Sequence, residues 1–187
     1  MRIKYNAPTV LTFTFTSALV LLLSQTILRS LTIRWFMVPG RGGFSPGDIR
    51  NWVTLFTHVI GHADWSHLAS NFSLILLLGP ILEESYGSRS LLFMIVITAL
   101  VTGVLNVLLF STSLLGASGV VFMMILLASF TNFNKGEIPL TFILVLIFYL
   151  GTQLINAFRT DNISEFAHIA GGLCGSLFGF LRPARRF

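Results

Sequence analysis

The chain has 187 residues, 54% of them hydrophobic and 10% charged, with a mean hydropathy of +0.83. A soluble domain carries about 25% charged residues, so water cannot be the only solvent for this chain. The formal charge of +5 does not indicate nucleic acid, because the basic residues stand singly at the ends of apolar runs, where they suit lipid headgroups and topology signals.

At this length a single domain, residues 1–187, is expected. Six apolar stretches follow one another, near 9–28, 67–85, 91–110, 117–131, 139–158 and 166–182. The first is longer than a signal-peptide core of roughly 7–15 residues and lacks an A-x-A-like cleavage site, so it is read as a retained span. A long segment, 29–66, then carries Gly, Pro and the aromatics Trp35, Phe36, Phe44, Trp52 and Trp65, which favour the headgroup level.

The second stretch is preceded by His58 and His62 and opens with His67 and Asn71. His67 and Asn71, four apart, share one helix face; their ring N–H and amide N–H₂ are the donor types of an oxyanion hole, or equally of an interhelical hydrogen bond. His58 and His62 are read as structural residues at or above the interface, holding the long loop. The spacing His58-x3-His62 also suits a metal. A zinc protease of that pattern needs a glutamate beside the first histidine, and Val59 stands there, so no metal is expected.

The fourth stretch, from Ala117 to Phe130, gives only about 21 Å of helix, short of the roughly 30 Å hydrocarbon core. Such a helix is tolerated when it starts within the membrane, fed by a loop that other helices cover; the feeder here is 111–116. Ser118 lies between Gly116 and Gly119 at this start. It reads either as an N-cap or packing serine, or as a nucleophile with room for a substrate backbone and unpaired N–H groups beside it. Phe122, one turn on, shares the face of Ser118 and suits stacking against an imidazole.

In the sixth stretch, Gly171, Gly175 and Gly179 fall within about 60° of His168 around a helix, a smooth stripe that lets a neighbouring backbone come close. His168 therefore faces a helix, either as a structural residue or as a base. Cys174, the only cysteine, reads as a packing residue. With the N-terminus inside, seven basic residues (Arg2, Lys4, Arg89, Lys135, Arg182, Arg185, Arg186) lie on the inner side against five outside (Arg29, Arg34, Arg41, Arg50, Arg159), which puts both termini in the cytoplasm of a multi-pass cell-membrane protein.

Taken in order, Phe56-Thr57-His58, His62-x4-His67-x3-Asn71, Gly79-x3-Glu83 with Gly87-Ser88, Gly116-x-Ser118-Gly119 and Ala167-His168-x2-Gly171-x3-Gly175 resemble the rhomboid family of intramembrane serine proteases. The resemblance covers nearly the whole chain, most clearly residues 56–180. It implies an all-α bundle of six transmembrane helices with a short fourth helix starting within the membrane. It also implies a dyad, Ser118 as nucleophile and His168 as base, cleaving single-span membrane proteins near the outer face of the bilayer through an acyl-enzyme. Asn71, His67 and the backbone N–H of Ser118 would form the oxyanion hole, and no cofactor would be needed. Gly116, Gly119, Phe122, Gly171 and Gly175 would support the site, while the fifth helix and the loop 159–165 would form a movable gate and cap. The partners implied are transmembrane protein substrates and the lipid bilayer; the oligomeric state is left open.

Three positions depart from the family pattern. Val53-Thr54 replace a frequent Trp-Arg, Glu83-Glu84-Ser85 replaces Glu-x-Arg, and Phe122 replaces a frequent Tyr. Val53, Thr54 and Ser85 bear on loop anchoring, and Phe122 keeps the stacking face without the hydroxyl. Two other functions are compatible with such a chain. One is a catalytically silent relative that binds membrane proteins, which fluorophosphonate labelling discriminates; the other is a small transporter, whose repeated halves the sequence lacks.

Overall fold

In the computed structural model of the chain the described residues are 3–131, 138, 140–145, 147–148 and 163–181, with side chains of the last segment from Phe166 on. The helices are α1 (Pro8–Thr26), α2 (Leu31–Trp35), α3 (Ile49–Thr57), α4 (Trp65–Tyr86), α5 (Ser88–Leu109), α6 (Ser118–Ala128), α7 (Leu140–Val145) and α8 (Ile163–Leu181). Among the described residues the only extended pairing is a bridge between Val38 and Leu114, so the all-helical expectation holds there. Among the described residues three helices, α1, α4 and α5, are long and apolar enough to cross a membrane. Most of the fifth apolar stretch, and the loop 159–162, lie outside the described residues.

The apolar pattern is that of a protein dissolved in lipid. Along α4, Ile75 is 0% exposed while its neighbour Leu77 is 65% exposed, so large hydrophobic side chains point both into the bundle and away from it. The start of α1 is held by the far end of α4. The carboxylate of Glu83 accepts from the backbone N–H of Thr9 (2.9 Å, Oε1) and of Val10 (3.0 Å, Oε2), two of the donors that a helix start leaves unpaired. One turn earlier on α4, Gly79 lets Val10 sit against the backbone: a Cβ there would lie 2.6 Å from Val10 Cγ2.

Helix α6 has 11 residues, roughly 16 Å, and cannot span a bilayer. Its side chains are buried nearly all round, including Val120, Phe122, Met123, Met124 and Leu127, which marks it as the helix the others surround. That covering is what permits irregular backbone at its entrance. Several main-chain groups of the 110–116 loop are held by other parts of the protein. Val38 and Leu114 exchange both main-chain bonds at 2.9 Å, Gly116 N–H donates to His58 O (2.9 Å), and the Asn106 amide donates to Thr112 O (3.0 Å).

The long segment between α1 and α4 contains the two short helices α2 and α3. Asp48 caps α3, accepting from Arg50 N–H at 3.0 Å, and α3 turns Thr54 and Leu55 inward while Ile49, Trp52 and Phe56 stay exposed. The exposed trio recurs at helical spacing and suits the headgroup level. Anchoring does not depend on the altered positions alone. Thr57 Oγ1 donates to Trp35 O, Trp52 Nε1 donates to Pro46 O (3.0 Å), and Phe44 meets Trp52 edge-on at 5.3 Å.

Candidate active site

Four pieces of chain meet around the start of α6: the segment 58–62, the first turns of α4, the 116–119 turn and α8. Asp64 caps α4 by accepting from His67 N–H at 2.8 Å, which starts the helix at Trp65 and sets the direction of its first two turns. His67 then lies against Gly116. A Cβ at Gly116 would be 2.6 Å from His67 Nε2 and Cε1, with Asn71 Nδ2 at 3.7 Å. The φ of +111° at Gly116 independently requires glycine, so the turn leading to Ser118 has neither room nor backbone freedom for a side chain.

Ser118 is the first residue of α6, with Ala117 at the N-cap and no side chain capping that end. The N-cap reading of the serine therefore fails. As the first residue of α6, Ser118 stands at a helix start, where unpaired N–H groups and the positive end of the helix dipole favour developing negative charge.

Helix α8 approaches α6 backbone to backbone. A Cβ on Gly171 would fall 2.0 Å from Gly119 O, and one on Gly175 would fall 2.2 Å from Met123 O. Gly119 in turn faces Ala167 O, 3.2 Å from its own Cβ direction. With the helices this close, the ring of His168 lies flat on Phe122, centroids 4.1 Å apart and planes 8° from parallel. Phe122 is one turn along from Ser118 on the same side of α6. Ser118, Phe122 and His168 are thus gathered at one seam, and His67 and Asn71 reach its entrance at Gly116.

His58 and His62 are both buried within the protein, each only 1% exposed. The chain folds back at Gly61, packed on Phe36, and turns both rings inward. His58 contacts Thr54 O (3.2 Å) and Thr102 Oγ1 (3.3 Å), while its carbonyl holds Gly116. His62 Nδ1 donates to Ile60 O (3.1 Å), its Nε2 accepts from Asn71 Nδ2 (3.2 Å), and its ring meets His67 edge-on at 5.0 Å. Burial pushes both imidazoles down to about 4, so both are neutral near pH 7.

Chemically, the seam and its entrance hold a hydroxyl, an imidazole and the side chains of His67 and Asn71. Among the described residues no three His, Cys, Asp or Glu side chains are grouped to share a metal ion. A cavity of about 400 Å³ lies between α1 and α5, lined by residues such as Thr12, Phe13 and Leu92, with no His, Cys, Asp or Glu in its lining.

Comparison with known proteins points to one family. A sequence model of the Rhomboid domain matches residues 50–185, a range that takes in every polar residue of the seam. Over 128 residues the chain is 24% identical to the Rhomboid protease GlpG of Haemophilus influenzae, which covers 67% of each chain.

Proposed function

This chain belongs to the rhomboid family of intramembrane serine proteases, and on that premise we propose that it cleaves single-span membrane proteins with Ser118 as nucleophile and His168 as base. The observation that carries the assignment is the ring of His168 stacked at 4.1 Å on Phe122, one helical turn from Ser118.

In this reading the neutral imidazole of His168 takes the Ser118 proton as Oγ attacks the scissile carbonyl. The tetrahedral oxyanion receives hydrogen bonds from the Ser118 backbone N–H, the Asn71 amide and the His67 ring. The imidazolium of His168 then protonates the leaving amine, and the ester on Ser118 remains. Water, deprotonated by His168, hydrolyses that ester and restores both side chains. Gly116 and Gly119 keep side chains away from the nucleophile, while Gly171 and Gly175 hold α8 at its distance from α6. The cut falls near the outer face of the cell membrane, in a six-span chain with both termini cytoplasmic. Because a transmembrane substrate hides its scissile carbonyl in helical hydrogen bonds, small helix-weakening residues near the cut promote cleavage; exchanging them for Leu slows it.

The test is direct. Purified protein is incubated with a fluorophosphonate probe and, separately, with a single-span model substrate. Labelling at Ser118 with cleavage, both lost in Ser118→Ala and in His168→Ala, is the expected result. Cleavage that survives Ser118→Ala overturns the assignment, and an absence of labelling and cleavage in the wild type makes the chain a silent relative.

A further inference from the structure

The two nitrogens of His62 are each committed by geometry. Nδ1 lies 3.1 Å from the carbonyl of Ile60, which can only accept, so the ring proton is on Nδ1. Nε2 then carries a lone pair, and the group facing it at 3.2 Å is the Asn71 side chain, which must present its N–H₂ and not its carbonyl oxygen. Turning that amide over would set two acceptors against each other in a place that is 1% exposed on the histidine side and 7% on the asparagine side. The ring cannot swing away to relieve the clash, since it is wedged between His67 (centroids 5.0 Å) and Phe72 (5.6 Å). An amide nitrogen has two protons. With one held by His62, the other diverges by about 120°, and Asn71 Nδ2 is 3.7 Å from the Cβ direction of Gly116, two residues before Ser118.

We propose that His62 is a positioning residue: its Nε2 lone pair fixes the Asn71 amide with the nitrogen, not the oxygen, toward the Ser118 turn. The inference rests on the reading of Asn71 as an oxyanion donor. A free asparagine would spend part of its time offering an oxygen to the developing oxyanion, which repels it. His62 removes that orientation without touching substrate. Burial lowers the imidazole to about 4, which keeps Nε2 unprotonated at the pH of the reaction.

The experiment compares kcat and KM for wild type, His62→Leu, His62→Gln, Asn71→Ala and the double variant His62→Leu/Asn71→Ala, with thermal stability of each in detergent. The expectation is that His62→Leu lowers kcat about tenfold or more while KM holds, because the lost interaction belongs to the transition state. His62→Gln, whose Oε1 accepts from the same amide proton, recovers most of the rate. In the Asn71→Ala background His62→Leu has no further effect on kcat. Where His62→Leu does not fold, His62→Met fills the same space with only a weak acceptor and takes its place. Unchanged kcat in the apolar variant, or equal losses with and without Asn71, overturns the inference and leaves His62 as a packing residue. A wild type that neither cleaves nor labels at Ser118 overturns the protease reading itself, and the positioning role with it; wild-type activity beside an indifferent His62→Leu sinks only the latter.

Discussion

Two seams of this protein are built on glycine, and they differ in what the glycine faces. Between α6 and α8, the Cβ directions of Gly171 and Gly175 run into main-chain carbonyls at 2.0 and 2.2 Å. Between α1 and α4, the Cβ direction of Gly79 meets the branched tip of Val10 at 2.6 Å, and the remaining grip comes from the Glu83 carboxylate on two N–H groups. A side-chain tip can turn aside; a carbonyl inside a helix cannot. The first seam therefore sets a distance that the proposed chemistry needs, whereas the second merely holds two helices together. Along α4, Glu83 is roughly 18 Å from Asn71, so the two ends of that one helix serve the two purposes separately.

The sharpest way to break the contrast is Gly171→Ala. The added methyl has to drive α8 from α6, at a cost on the order of 3 kcal/mol. Cleavage should fall at least about a hundredfold even in the fraction that stays folded, because an ångström of misplacement at a reacting pair is that expensive. Parallel thermal unfolding and initial-rate measurements check both parts; wild-type rates would show that the seam is not what holds His168.

Acid should loosen the loop beside α6. His58 and His62 are held near 4 by burial, against about 6.5 in an unfolded chain, so between those values the unfolded chain binds more protons. Stability from this source is complete above about pH 6.5 and is lost as the pH falls toward 4, by up to roughly 3 kcal/mol per imidazole. Melting temperatures in detergent from pH 7.5 to 4 will show the loss, and His62→Gln should flatten part of it.

The α1–α4 seam predicts smaller and purely structural effects. Glu83→Gln keeps one acceptor and sets an amide against the second N–H, a loss of about 1–2 kcal/mol with kcat of the folded protein unchanged. Gly79→Ala should lose about 1 kcal/mol, recovered in a Val10→Ala background where the tip it strikes is gone. A kcat change in either variant would mean that the two seams are coupled. The smallest effect is expected for Phe122→Leu, which removes the stacking face beneath His168: about 1 kcal/mol, or roughly fivefold in kcat.

What could be read from the residues alone was what depends on local period. The glycine stripe of α8, the place of Phe122 one turn from Ser118 and the shortness of α6 are consequences of helical spacing, and spacing is written in the chain. The inward turn of His58 and His62 was not readable, because it depends on Gly61 meeting Phe36, a contact between segments that share no period. The same holds for the short helices α2 and α3 inside the long segment, and for the pairing of Val38 with Leu114. Glu83 was recognised only as part of a family pattern. Its work at the start of α1 became visible once the two helices were placed side by side.

The bridge between Val38 and Leu114 also constrains the order of assembly. It joins residues far apart in sequence, with α3, α4 and α5 lying between them, so closing it carries a large loop entropy that prior formation of those helices reduces. His168, on α8, follows the turn before Ser118 in the order of synthesis. If Ser118 and His168 act together as proposed, the serine gains its partner only once α8 lies against α6, so nucleophile and base are held apart until that late contact forms.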